Sequence, residues 1–378
     1  MSREKVVIKP IFIRNPFLKT PDEVIELFGL STSIRSQFKL ISRLMKLDVT
    51  VSDRSLDNLS RKGISERKAT EIFEPILTVI EDRLKGKIDT IIPDGARTSD
   101  IHLLWPAAIK LFMCGAQFTQ QEQNCLQPLK RFLERRCREY LPQSEWYSKF
   151  GEMDNKARLR HLPDFYLPVI DKMLLDSTEK NIVMKILSTK ALGEKIEVEK
   201  NEALALGLFS QDFNLSLFAS LDLVAKNFAF LFFNDEKKVH ESFLKQILAV
   251  EGQCYFGKLL SLIKSKTGCT YKKLAQLIPV QFQSTDSGRT ELEIKIERLK
   301  EWRKGKTKPS FKVLDEFFSH FSNEDQMPLF IYGHICLAID RLIGKYKSVG
   351  DRKLLQNVYS PENYIRYYTK EKEAAKAS

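Results

Sequence analysis

Hydrophobic positions in this chain recur mostly three or four residues apart, with charged residues between them, which is the spacing of helices. The first exception is the opening Val6-Val7-Ile8-Lys9-Pro10-Ile11-Phe12-Ile13. It is β-branched but broken by Pro10, so it predicts an edge strand or an extended arm. Pro21-Asp22-Glu23 has the chemistry of a first helical turn, and that helix should run through Phe28 and stop at Gly29. Ile34, Phe38, Ile41, Leu44 and Met45 then make one apolar stripe, with Arg35, Lys39, Arg43 and Lys46 on the remaining surface. Ser52-Asp53 opens a further helix carrying Leu56 and Leu59. Ser65-Glu66 opens another through Ile72, Phe73, Ile76, Leu77 and Ile80 towards Gly86, with a kink at Pro75.

Residues 88–98 read as a loop or short strand around the turn Pro93-Asp94-Gly95. Two helices are expected between Asp100 and Leu141. The first buries Ile101, Leu104, Trp105, Ala108, Leu111 and Phe112, and the second runs from Pro128 to Tyr140. Lys130, Arg131, Arg135 and Arg138 on the second either keep one face wet or hold phosphates. Pro142 to Pro168 reads as a connector with one short helix, Ile170 to Leu192 as amphipathic, and Gly193 to Lys200 as a charged link. From Asn201 to Asn234 the chain is apolar on nearly every side. Asp222 and Lys226 interrupt it, leaving an uncharged part too short to span a bilayer, so the run belongs in a core. An amphipathic helix from Asp235 to Val250 leads onward.

The segment from Phe256 to Phe321 is the most definite. Leu259, Leu260, Leu262 and Ile263 give a first helix that Gly268 can stop in a left-handed conformation. Thr270 is placed to cap a short second helix with Leu274, Ala275 and Leu277 inward, ended by Pro279. Ile294, Ile296, Leu299 and Trp302 form the apolar side of a third helix that Gly305 terminates. Pro309-Ser310 opens a fourth with Val313, Leu314, Phe317 and Phe318 as its core face.

These phrases in this order, Gly257 to Lys264, Thr267 to Ala275 and Leu299 to Ser310, resemble the helix-turn-helix domain of the Cro, lambda-repressor and Xre regulators. The resemblance covers about residues 251–322. It implies a third helix lying in the DNA major groove and a second helix whose start meets the sugar-phosphate backbone. Carried over by position, it assigns DNA contact to Tyr271, Lys272, Arg298, Lys300, Arg303, Lys304, Lys306 and Lys308. The chain departs from the pattern in four ways. The stretch Pro279 to Thr290 is an insertion between helices two and three, about a dozen residues longer than the compact domain has. Tyr271 and Lys272 stand where a glutamine is usual, and Arg303 follows the tryptophan where an acid is usual. Glu297 and Glu301 also place negative charge on the helix that meets DNA.

Charge adds to this reading. The net charge is +12 and the pI about 9.2, which favours polyanionic partners. Between 289 and 308, Arg289, Lys295, Arg298, Lys300, Arg303, Lys304, Lys306 and Lys308 outweigh Glu291, Glu293, Glu297 and Glu301; Glu291 and Lys295 have the spacing of a helical ion pair. The end of the chain is basic too, with Tyr359, Tyr364, Tyr367 and Tyr368 interleaved among the cations. Those tyrosines either stack on nucleic acid or pack the tail onto the body.

Candidate chemistry is sparse. The six cysteines, Cys114, Cys125, Cys137, Cys254, Cys269 and Cys336, form no CxxC pair, and their spacing suits buried reduced thiols of a cytoplasmic protein, not a metal site. Pro93-Asp94 lacks the Glu-x-Lys of a metal-dependent nuclease, and His102, His161, His240, His320 and His334 are scattered. No catalytic residue, metal or cofactor is therefore expected.

The sequence accordingly predicts a mainly α protein in four regions. These are 1–98, helical with a short edge strand; 99–250, a central helical domain; 251–322, the helix-turn-helix domain; and 323–378, a helical basic extension. The expected function is DNA binding, as a transcriptional regulator with a sensing or oligomerising body. The expected partners are double-stranded DNA and a protein or second copy, with no membrane. The alternatives are a helical interaction scaffold, as in a defence or toxin-antitoxin assembly, or an RNA-binding protein.

Overall fold

The computed structural model describes residues 5–8, 18–44, 51–84, 105–106, 108–109, 112, 118–152, 170–171, 173–188, 195–229, 241–252, 254–280 and 288–376. Outside these lie the end of the expected N-terminal arm, the loop 88–98, the connector around Leu162 to Pro168, the start of the helix expected at Asp235, and Cys114, His102, His161 and His240. Residues 281–287 of the Pro279 to Thr290 insertion lie outside them as well. The protein is mainly helical, with fifteen helices and one two-stranded sheet among the described residues.

Packing divides the chain into two compact units. The first comprises 1–124 and 133–151, the second 125–132 and 152–378. These differ from the four regions drawn from the sequence, because residues on both sides of the expected boundaries at 250 and 322 share one core.

In the first unit, β1 (Lys5–Val6) pairs antiparallel with β2 (Ile64–Ser65), Lys5 opposite Ser65 and Val6 opposite Ile64. The sequence placed Ser65 in a helix; its backbone pairs with Lys5 instead, and the helix starts at Glu66. Helix α1 (Pro21–Leu27) begins with a capping box between Thr20 and Glu23, with Pro21 in its first turn. Helices α2 (Ile34–Leu44), α3 (Asp53–Arg61) and α4 (Glu66–Leu84) bury Ile34, Phe38, Leu56, Leu59, Ile72 and Ile76 in one core, onto which Val6 and Ile8 pack. Asp53 pairs with Arg35 and Lys39 in exposed ion pairs of small energetic weight. Trp105 is buried and its indole donates to the Lys19 carbonyl at 2.6 Å, but Phe112, expected inside, is exposed against Phe118.

Helix α5 (Gln120–Glu152) contributes residues to both units. It begins eight residues before the expected Pro128, because Thr119 and Glu122 form a capping box: Glu122 N–H donates to Thr119 Oγ1 at 3.2 Å and Thr119 N–H to Glu122 Oε2 at 2.7 Å. It also runs through Pro142, where a connector was expected. Of its basic residues, Arg135 and Arg136 both lie beside Glu139, and Arg131 donates to the Ala375 carbonyl.

The second unit is built on α7 (Lys195–Phe228), which absorbs part of the link expected at Gly193 to Lys200. From Leu208 to Ala225 it is buried on nearly every side, as its composition requires. Helices α6 (Ser177–Ser188), α8 (Phe243–Ala249), α13 (Asn323–Gly344) and α15 (Pro361–Lys376) pack on it, and α14 (Val349–Val358) joins the last two. Over Asp325–Gly344 α13 is long and apolar enough to cross a membrane, and most of that stretch is buried within the unit. Tyr359, Tyr364, Tyr367 and Tyr368 are buried, so the basic tail folds onto the body through its rings.

Polar groups organise this core. Asp222, fully buried in α7, accepts hydrogen bonds from Ser242 Oγ, from Tyr332 Oη at 2.7 Å and from Tyr364 Oη at 2.8 Å. One carboxylate thereby ties α7 to the cap of α8, to α13 and to α15. Three turns earlier on α7, Tyr359 and Asn214 both donate to Gln211 Oε1.

Candidate nucleic-acid interface

The four helices expected between Phe256 and Phe321 are present as α9 (Tyr255–Thr267), α10 (Tyr271–Gln276), α11 (Glu291–Arg303) and α12 (Phe311–Phe318). Their ends follow the local chemistry. Gly268 closes α9 at φ 66°, Thr270 caps α10 by accepting from Lys273 N–H, and Thr290 with Glu293 forms a capping box on α11. Gly305 at φ 67° turns the chain after α11, and Ser310 caps α12.

The shared core of these helices is Leu259, Leu260, Ile263, Leu274, Ala275, Leu299, Trp302, Leu314 and Phe317. The Trp302 ring stands between Phe256 and Phe317, with centroids 6.0 and 5.9 Å away. Ile296 was expected in this core and is instead 39% exposed, because it falls one position round the helix from the buried stripe of Ile294, Leu299 and Trp302.

Two contacts fix the frame. Asp340 of α13 accepts from the Tyr255 and Phe256 N–H groups at 2.8 and 3.0 Å, so a carboxylate 84 residues downstream satisfies the start of α9. Burial pushes the Asp340 carboxyl above its ordinary range, opposed by these two bonds and by Lys308 and Lys258. Cys254 is the second. Burial pushes its thiol up to about 11, so it stays protonated and donates to the Trp302 and Arg303 carbonyls at 3.3 and 3.4 Å, while accepting from Gly257 N–H. The C-terminal end of α11 is thereby held against the first turn of α9. Replacing Asp340 with alanine removes both acceptors and is expected to lower the unfolding free energy by about 1–3 kcal/mol, read as a shifted urea midpoint.

The eight residues assigned to DNA contact fall into three groups. Lys272, Lys300, Lys304 and Lys306 are exposed, Lys272 in the first turn of α10 and the others along and just beyond the second half of α11. Lys300 lies 3.5 Å from the Glu297 carboxylate, in a pair too exposed to neutralise it.

Tyr271, Arg298 and Arg303 are half-buried. Tyr271 is tied through its hydroxyl to Ser261 Oγ at 3.0 Å, and the Arg303 guanidinium lies 3.6 Å from the centre of its ring. These two residues are one stacked pair bracing α9, α10 and α11, with Lys264 at 5.1 Å from the same ring.

Lys308 stands apart. It is exposed like the other lysines, yet nearby protein lowers the pKa of its ammonium, with Asp340 acting against the shift and Arg341 adding to it. Lys273, exposed beside Lys272, was not assigned, although the same helix start exposes both. Lys295 pairs with Glu291 at 2.7 Å, as its spacing suggests, and also donates to the Gln276 carbonyl of α10 at 3.1 Å.

α11 packs on α9 and α10. Its outward stripe is Glu293, Ile296, Glu297, Lys300 and Lys304, all exposed. Among the described residues no group of histidine, cysteine, aspartate or glutamate side chains is arranged to hold a metal ion. The chain matches no protein-family model, no curated protein and no solved structure.

Proposed function

We propose that α9 to α12 bind duplex DNA, gripping its phosphates with Lys272 and Lys273 at the start of α10 and with Lys300, Lys304 and Lys306 around the end of α11. The observation that carries this reading is the exposure of those lysines on α10, on α11 and in the turn after it, the two helices packing on each other, beside an exposed stripe of α11. The order and caps of the four helices, together with the resemblance to the Cro, lambda-repressor and Xre domain, support it. Cations so placed displace counterions from a duplex, which gives affinity that falls steeply with salt. The wider reading is a regulator whose remaining helices sense a signal or drive self-association.

A second reading, a scaffold that holds a protein partner, is favoured by Ile296. It is an exposed apolar side chain between Glu293 and Glu297 on that same stripe, where a protein surface would be a better match than a phosphate row.

A gel-shift titration across salt with the full chain separates the two. If each lysine meets a phosphate, Lys300→Gln, Lys304→Gln and Lys306→Gln together make the slope of log affinity against log salt shallower by about 2.7, with roughly tenfold or greater weakening near physiological salt. A triple variant that keeps the wild-type affinity and slope defeats the role given to the end of α11, and failure of the natural full chain to bind any duplex defeats the DNA reading. A stoichiometric protein partner that co-purifies without nucleic acid and is lost on Ile296→Asp favours the scaffold.

A further inference from the structure

We infer that this surface takes duplex DNA without regard to base sequence, an inference that rests on the duplex-binding reading above. A helix in the major groove reads bases chiefly with arginine or lysine on guanine and asparagine or glutamine on adenine. The outward stripe of α11, Glu293, Ile296, Glu297, Lys300 and Lys304, contains no arginine, asparagine or glutamine, and its two lysines are flexible point charges without the rigid fork that arginine fixes on guanine. The arginines nearby are committed or set aside: Arg303 lies on the Tyr271 ring and Arg298 is half-buried on the flank. Arg289, exposed ahead of the helix, places its charge near Glu293.

Carboxylates can also read a base, by accepting from cytosine, but those on α11 each have a partner on the protein, that of Glu297 being the exposed pair with Lys300. Glu293 Oε2 accepts from Thr290 N–H at 2.8 Å and from Thr290 Oγ1 at 2.9 Å. The backbone bond is the main reason its carboxyl lies below the usual range, so it remains an anion. Glu297 faces Lys300 and Glu291 faces Lys295. The stripe is thus anionic and apolar over its first half and cationic over its second.

Glu293 and Lys304 are separated by about 16 Å along the helix axis, which exceeds the screening length of about 8 Å at physiological salt. The lysine end therefore grips phosphates while the acidic end stays clear of them. Contact made this way positions a protein on a duplex and carries no sequence information.

The test is selection of bound duplexes from a random pool by the full chain, followed by competition among unrelated duplexes at fixed salt. No motif is expected to emerge, and competitors should agree within about threefold, far below the thousandfold or more that separates specific from non-specific sites. Glu297→Gln, which removes the partner of Lys300, should tighten binding to every duplex alike, by roughly threefold, while Glu293→Gln, still able to complete the capping box, should leave binding to every duplex within about twofold. A motif enriched a hundredfold or more overturns the inference while leaving duplex binding intact. So does a Glu297→Gln variant that loses affinity for one sequence alone, which makes that carboxylate a base reader. Wild-type protein that binds no duplex at all overturns the underlying reading and the inference with it.

Discussion

Replacing Asp222 with alanine is expected to lower the unfolding free energy of the second unit by about 3–5 kcal/mol, the high end for a point substitution, because one buried acceptor serves three donors. The side chain is fully enclosed, and the hydroxyls of Ser242, Tyr332 and Tyr364 all donate to it. Removal strands three buried hydroxyls on three different elements, each costing on the order of 1–3 kcal/mol unless the core rearranges. Asp222→Asn keeps one acceptor oxygen and should cost less than alanine.

The two variants also separate hydrogen bonding from charge. Burial raises the Asp222 pKa above its ordinary 3.8 despite the hydrogen bonds that lower it. An acid with a raised folded pKa contributes stability that is fully present below the unfolded pKa and is lost as pH rises through the folded one. Asparagine does not titrate, so the difference between Asp222→Asn and the natural protein should move in favour of asparagine as pH rises from acid to neutral. Urea midpoints across that range measure it. A difference that stays flat with pH means that Asp222 titrates alike in both states, and the buried-charge account then fails.

Asp222 also marks the limit of what the sequence discloses. An aspartate inside an apolar run is visible, but its three donors lie 20, 110 and 142 residues away, and no local pattern joins them. Asp340 is hidden for the same reason, as a helix cap supplied from another helix. What could be read was local: the caps at Thr270 and Ser310, the stops at Gly268 and Gly305, and the buried stripe through Leu299 and Trp302. The Thr119-x-x-Glu122 box is equally local, and it starts α5 eight residues before Pro128. Within the candidate interface, the resemblance and the positions that carry it name Lys272, Lys300, Lys304, Lys306 and Lys308, all exposed. They could not give the Tyr271–Arg303 stack, because ring and guanidinium meet only once α10 and α11 have packed.

Gly257→Ala is the second large effect, and it tests the seat of α11 directly. A methyl at Gly257 would overlap the Arg303 carbonyl oxygen and come within 3.1 Å of the Arg303 carbonyl carbon and Cα. Those are backbone atoms, so no side chain can swing aside and the two helices must part. Parting them breaks the Cys254 thiol bonds to Trp302 and Arg303 and loosens Trp302 between Phe256 and Phe317. The expected loss is about 3 kcal/mol, at the upper end of the overpacking range. Because the displaced segment carries Lys300, Lys304 and Lys306, DNA affinity measured on the folded fraction should fall as well. Gly268→Ala is the matched control. Its methyl meets nothing within 4 Å, so only the left-handed backbone at φ 66° is penalised, at about 1 kcal/mol, and affinity should survive. If Gly257→Ala keeps the natural stability, α9 and α11 are not in the close contact described. If it loses stability but binds DNA as tightly when folded, the position of α11 does not govern binding, and the lysines of α10 must carry it.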